Sequence, residues 1–202
     1  MITGILLVVT GPSGAGKGTV LGLIHKKMEG VYYSVSATTR NRRENEVDGE
    51  SYYFVDRTKF ERMISNNELL EYTEYCGNYY GTPLKPVLRM LEKGKTVVLE
   101  IDINGATQIR SKYADAVLVF ITPSSNEELR RRLIKRGTEN SEQIERRMLR
   151  AVEEAKFAGK FDYLIINDQI EKAVEDLASV ITSERCRPAR KLHTLKGGNL
   201  QP

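Results

Sequence analysis

Ile5-Leu6-Leu7-Val8-Val9-Thr10, followed at once by Gly11-Pro12-Ser13-Gly14-Ala15-Gly16-Lys17-Gly18-Thr19, is the stretch from which the rest of the chain can be read. A short apolar run rich in β-branched residues and closed by a turn signal predicts a buried strand. The loop after it fits G-x-x-x-x-G-K, the phosphate-binding P-loop. Its glycines let successive backbone N–H groups converge on an anion without Cβ clashes. Lys17 would reach the β- and γ-phosphates, and the positive end of the following helix would point at the same anion. One position departs from the pattern: Gly18 stands where Ser or Thr commonly holds magnesium, and Thr19 comes one residue late. A glycine-rich turn with a surface lysine is the bland alternative, and the strand–loop–helix context speaks against it.

Outward from this motif, 202 residues with 40% hydrophobic content are enough for one compact core with small insertions. A formal net charge of +4 suits a polyanionic substrate such as a nucleotide, and equally a nucleic-acid surface. No long basic run with interleaved aromatics precedes the tail, so a small molecule is expected as partner, and no nucleic acid. The 2 cysteines, Cys76 and Cys186, lack metal-like spacing, which fits a reducing compartment, and no protein metal ligand is assigned. The N-terminal apolar run is too short for a signal peptide or a membrane span, so a cytoplasmic, membrane-free protein is expected.

Residues 19–28 show mostly helical apolar spacing, stopped by Glu29-Gly30. From 31 to 82 the character changes. Alternating segments at 32–36 and 51–55 flank a polar stretch carrying Arg40, Arg42 and Arg43, which predicts a small antiparallel insertion rather than continued β-α-β winding. A short helix is expected near 58–66, then segments at 69–75 and 77–82 with many tyrosines. These suit half-buried strand faces, or hydroxyls aimed at a phosphate beside the arginines. A helix over 86–93 is closed by Gly94, and 96–102 reads as a buried strand with Glu100 and Asp102 at its carboxyl end, where open α/β sheets bind ligands. A helix over 105–113, a strand over 116–121, a strand over 162–167 and a helix over 169–184 complete a parallel α/β sheet. Residues 126–156 read as basic helix broken by Gly137; much of it is a solvated face with i,i+4 pairs, but arginines flanking a glycine turn also suit a mobile lid over phosphates. The tail from Arg187 to Pro202 reads as disordered.

With these residues in view, the chain closely resembles the guanylate kinase family up to about Ile181. The resemblance rests on Gly11 to Lys17; Ser34-Val35-Ser36-Ala37-Thr38-Thr39-Arg40 with Arg43; Gly49 to Phe54; Gly77-Asn78-Tyr79-Tyr80-Gly81-Thr82; Leu99-Glu100-Ile101-Asp102; and Arg136-Gly137-Thr138-Glu139. It implies a P-loop NTPase-type parallel sheet flanked by helices (1–33, 84–125 and 151–186), a mixed antiparallel GMP-binding insertion (34–83) and a short helical lid (126–150). The implied reaction moves the γ-phosphoryl group of ATP to GMP, and to dGMP, giving GDP and ADP in purine nucleotide metabolism. Gly18 is common in nucleoside monophosphate kinases, where water supplies most of the magnesium shell; Mg²⁺ would then be held mainly by phosphates and water. Carried over by motif, Gly11, Pro12, Ser13, Gly14, Ala15, Gly16, Lys17, Gly18 and Thr19 would hold ATP, with Asn167 near its adenine. Ser36, Glu71, Thr82 and Asp102 would face the guanine; Arg40, Arg43, Tyr52 and Tyr80 would hold the GMP phosphate. Arg132, Arg136 and Arg147 would join Lys17 around the transferring phosphoryl group. Arg42 and Asn45 replace the family's usual proline and glycine in the loop. A monomer or a homodimer is compatible with the sequence.

The chemistry is coherent on its own terms. Guanine offers the adjacent donors N1–H and 2-amino beside the acceptor O6. A carboxylate such as Glu71 can accept from both donors, and a hydroxyl such as Thr82 can donate to O6. Guanidinium forks suit a phosphate dianion. A phosphate nucleophile is already ionised, so no general base is required, and catalysis reduces to positioning and charge neutralisation. Three alternatives stay open at this point: a kinase of the same fold acting on a base-free phosphorylated sugar, a module that binds phosphopeptides at the GMP site without turning over ATP, and nucleic-acid binding by the basic lid and tail. The first has no use for Glu71 and Thr82; such modules have typically lost the P-loop lysine or its glycines.

Overall fold

The computed structural model describes residues 4–137 and 140–192. Strand β1 (Ile5–Thr10) is the centre of the sheet, and every residue of it is buried. It pairs in parallel with β7 (Thr96–Glu100) on one side and β8 (Val117–Thr122) on the other. Strands β2 (Val31–Tyr33) and β9 (Tyr163–Ile166) form the edges, giving the all-parallel order β2-β7-β1-β8-β9. The uninterrupted apolar run follows from this placement, because both faces of β1 are covered. Side chains alternate across it. Ile5, Leu7 and Val9 pack with α1 (Lys17–Lys27) and α7 (Ile170–Arg185), through Val20, Ile24, Val174 and Leu177. Leu6 and Val8 pack the other way, with α3 (Leu84–Glu92) and α4 (Ile103–Lys112), through Val87, Leu91, Ala106 and Ile109.

A second sheet has the order β4-β3-β6-β5, built from β3 (Ala37–Thr38), β4 (Tyr53–Phe54), β5 (Leu69–Tyr75) and β6 (Asn78–Pro83). It carries its own small core. Phe60 of α2 (Arg57–Ser65) is fully buried there and stacks on Tyr79 with centroids 5.2 Å apart. The two-residue turn between β5 and β6, Cys76-Gly77, has both φ angles positive (51° and 75°), as a tight hairpin requires.

One sequence ambiguity is resolved and two expectations are corrected. Residues 31–33, which the local pattern grouped with the insertion and the family resemblance with the core, add in parallel to β7 as an edge of the main sheet, and the Ser34 N–H still bonds Val98 O. Strands β3 and β4 run parallel, not antiparallel, because a long polar connection rather than a tight turn joins them. The strand expected over 96–102 stops at Glu100, and Asp102 instead caps α4, its carboxylate accepting the Gly105 N–H at 2.9 Å.

The basic segment folds as two helices, α5 (Asn126–Arg136) and α6 (Ser141–Ala155), with left-handed Gly137 (φ 67°) closing the first. Asn140 and Gln143 form a reciprocal capping box at the start of the second. A 3₁₀ turn, Ala158–Lys160, precedes β9. The tail was expected to be disordered from Arg187, yet Pro188–Lys191 forms a helical turn, α8. Arg190 anchors it on Glu184 at 2.7 Å and on Asp115 O at 3.1 Å. Glu184 is only 1% exposed and is further satisfied by Tyr163 and Arg187. Residues 193–202 of that tail lie outside the described residues. Among the described residues no helix is long and apolar enough to cross a membrane.

Candidate active site

A cavity of about 440 Å³ opens at the carboxyl ends of β1 and β7, between the main sheet, the second sheet and α6. That location is the one expected for ligands of open parallel sheets. Gly11, Ser13 and Lys17 form one wall, Ser36, Tyr52, Glu71 and Tyr80 another, and Asp102 and Arg147 also reach it.

The P-loop wall is built as the motif demands. Gly11, Gly14 and Gly16 all have positive φ (143°, 89° and 82°), and Gly16 starts α1 from the left-handed region. A Cβ on Gly14 would meet Leu133 of α5 at 3.0 Å, so α5 packs directly on the loop. Lys17 folds over the loop and donates to Gly11 O at 2.6 Å and to Pro12 O at 3.2 Å. Burial lowers its pKa, while Glu100 and Glu154 oppose that effect. Gly18 and Thr19 are exposed. A Cβ on Gly18 would lie 3.8 Å from Glu100 Oε2, so the space left by the missing side chain faces a carboxylate. Asn167, expected beside adenine, is 2% exposed and donates to Ala15 O at 2.7 Å. Its amide braces the underside of the loop.

On the opposite wall Glu71 is 2% exposed and Thr82 fully buried, and the Thr82 hydroxyl donates to Glu71 Oε1 at 2.6 Å. The hydroxyl proton expected for guanine O6 is therefore committed to the carboxylate. Glu71 Oε2 lies against Gly105, where an added Cβ would approach to 2.5 Å. Burial pushes the Glu71 carboxyl up to about 7, against the Thr82 hydrogen bonds that favour its charged form. Asp102, nearby, pushes in the same direction as burial.

Of the four expected phosphate-holding residues, Tyr52 and Tyr80 line the cavity, edge to face with centroids 6.0 Å apart. Arg40 sits behind them, its Cζ 5.6 Å from the Tyr52 ring. Its guanidinium already donates to Glu46 Oε1 at 2.7 Å and to Asn41 O at 2.6 Å. The backbone N–H of Arg43 donates to the other Glu46 oxygen at 2.9 Å, while its side chain is exposed outside the cavity wall. Glu46 thus organises both arginines, a role that sequence reasoning missed.

Helix α6 closes the remaining side of the cavity, and α5 packs on the P-loop beside it. Arg132 donates from Nε to Glu128 at 2.6 Å, and its Nη1 lies 3.8 Å from a Cβ built on Gly16, beside the P-loop. Arg147 donates to Ser13 Oγ of the loop itself. The side chain of Arg136, with Thr138 and Glu139, lies outside the described residues. Three further side chains at the site were not foreseen. Tyr33 donates to Glu100 Oε2 at 2.8 Å, and Arg150 and Glu154 line the cavity from α6. The only signal for the last two was their spacing from Arg147, which puts all three on one helical stripe.

A family model described as Guanylate kinase matches residues 4–184. A guanylate kinase of Carboxydothermus hydrogenoformans is 50% identical over the full length of both chains. One of Clostridium tetani is 46% identical over 94% of this chain and 91% of the relative. Among solved structures, the crystal structure of guanylate kinase from Anaplasma phagocytophilum superposes with a TM-score of 0.76 at 34% identity, covering 94% of this chain and 90% of that one. The P-loop, Glu71 and Arg147 of α6 line one cavity in a chain similar throughout to these proteins, and it belongs to the guanylate kinase family, enzymes that phosphorylate GMP to GDP with ATP.

Proposed function

We propose that this cavity binds GMP or dGMP with the base against Glu71 and the phosphate toward the P-loop, and that each residue above acts as follows. The observation that carries this reading is the buried Glu71 carboxylate. Among the described residues its hydrogen bonds come from Thr82, and a ligand with adjacent donors would compensate an ionised carboxylate buried there. N1–H and the 2-amino group supply such donors. Thr82 orients the carboxylate, and Ser36 and Asp102 flank the base.

Tyr52, Tyr80, Arg40 and Arg43 hold the GMP phosphate. For Arg40 this means exchanging part of its Glu46 contact for a dianion, a stronger charge-assisted partner. The backbone N–H groups of residues 11–19 cradle the ATP phosphates, and Lys17 leaves the Gly11 and Pro12 carbonyls for phosphate oxygens. An ionised oxygen of the GMP phosphate then attacks the γ-phosphorus of ATP; the bond to the β,γ-bridging oxygen breaks and ADP leaves. No proton has to be removed from the nucleophile. Lys17, Arg132, Arg136 and Arg147 neutralise the charge that spreads over the transferring group. Mg²⁺ would be held mainly by the phosphates and water, with the Glu100 carboxylate facing the space beside Gly18, and it would supply further charge neutralisation. In this reading the enzyme serves purine nucleotide metabolism and GMP recycling in the cytoplasm.

Glu71→Gln tests the assignment. The amide keeps the shape but replaces one acceptor oxygen by a donor, so the GMP-to-AMP ratio of kcat/KM should fall by about 10³ or more. An unchanged ratio would remove Glu71 from base recognition.

A further inference from the structure

Helix α6 touches all three parts of the active site through one stripe of side chains. Arg147 reaches the P-loop at Ser13, and Glu154 faces Lys17 electrostatically. Between them stands Arg150. Its guanidinium carbon lies 4.3 Å from the ring centroid of Tyr75, at the end of β5 in the second sheet. One of its terminal nitrogens is 4.0 Å from Asp102 Oδ2, at the cap of α4, and its Nε donates to Glu154 at 2.9 Å. A single side chain therefore bridges α6, the tip of the insertion and the N-terminus of α4. Its partners here are an aromatic face and two carboxylates.

We propose that Arg150 is a positioning residue that latches the insertion to α6, so that the wall carrying Glu71 is held shut over the base while Arg147 stays at the P-loop. The inference rests on the reading that GMP occupies this cavity. Three features make the latch effective. The planar guanidinium stacks on an aromatic face as an ammonium does less well. The Glu154 contact fixes the direction of the side chain along the helix. The Asp102 contact ties the same group to the residue that flanks the base. Tyr75 belongs to the same strand as Glu71, so a force applied at Tyr75 acts on the recognition carboxylate through a continuous hydrogen-bonded ladder with β6.

The test compares wild type, Arg150→Ala, Arg150→Lys, Tyr75→Leu, the Arg150→Ala/Tyr75→Leu double variant and Glu71→Gln by steady-state kinetics, with GMP and ATP varied separately. Arg150 is 41% exposed along its side chain, so its removal leaves the core intact. Losing a partly exposed cation–π contact and an ion pair should raise KM for GMP roughly 10-fold, with kcat and KM for ATP within about twofold of wild type. Lysine should recover part of that loss, and the double variant should be no worse than Arg150→Ala alone, because both single changes break one contact. Wild-type KM values in Arg150→Ala, or strictly additive losses in the double variant, overturn the latch while Glu71→Gln still weakens GMP use. If Glu71→Gln leaves GMP use untouched, the site reading itself fails and the latch with it.

Discussion

The Thr82 hydroxyl donates to Glu71 Oε1 across 2.6 Å, and neither side chain is more than 2% exposed. A carboxylate this deep is held at the edge of ionisation: burial opposes its charge, Thr82 favours it, and burial wins, placing its pKa at about 7. The group proposed to recognise a base with two donors is therefore poised rather than permanently charged.

This makes GMP use pH-dependent. Because the folded pKa is raised above 4.5, the carboxyl contributes most stability below pH 4.5 and loses it as pH rises toward 7. At higher pH the ionised group costs the empty fold on the order of 3 kcal/mol, a cost that guanine's donors would relieve in the proposed binding mode. GMP binding should thus tighten as pH rises from about 5.5 to 7.5 and release a proton in that range. The difference in GMP affinity between wild type and Glu71→Gln, followed by calorimetry across that range, removes the titration of the GMP phosphate. A flat difference would mean that Glu71 does not change its ionisation across that range.

Gly105 has a specific steric role. A Cβ there would come within 2.5 Å of Glu71 Oε2, and the carboxylate, being the free end of a flexible side chain, would move rather than the helix. Gly105→Ala should fold normally, raise KM for GMP at least 10-fold and leave KM for ATP unchanged, because it displaces a recognition group by roughly the 1 Å that typically costs 10²-fold. Equal effects on both substrates in steady-state kinetics would instead indicate a general distortion of α4.

Glu184 predicts stability rather than activity. It is 1% exposed and held by Tyr163, Arg187 and Arg190, so it pins α8 to the end of α7 and to β9. Glu184→Ala leaves Arg190 facing an uncompensated site and should cost about 3 kcal/mol. For a chain of this length that is a fall in Tm of about 10 °C by calorimetry, with kcat near wild type. An unchanged Tm would show that α8 does not contribute to the fold.

The parts of this molecule written in local chemistry were legible from sequence. β1 and the P-loop follow from an apolar run and a glycine pattern, and α5 and α6 divide at Gly137 as the pattern implied. Pairing was less legible. Whether 31–33 joins the main sheet or the insertion depends on β7, more than sixty residues away in sequence, and nothing local in Val31-Tyr32-Tyr33 distinguishes the two. The same holds for the parallel β3–β4 pair. Arg150 and Glu154 were hidden because a helix alternating Arg and Glu looks like any solvated face; only the fold shows which stripe turns inward. The bracing contact of the Asn167 amide with Ala15 O was not legible, because a motif gives a neighbourhood and not a direction.

The most direct measurement is ADP release in a coupled assay with ATP and Mg²⁺, offering GMP, dGMP, AMP, CMP and UMP separately. Fast turnover confined to GMP and dGMP is the expected result, because only guanine presents two adjacent donors to Glu71. Tight GMP binding without ADP release, or AMP turnover comparable to that of GMP, would contradict it.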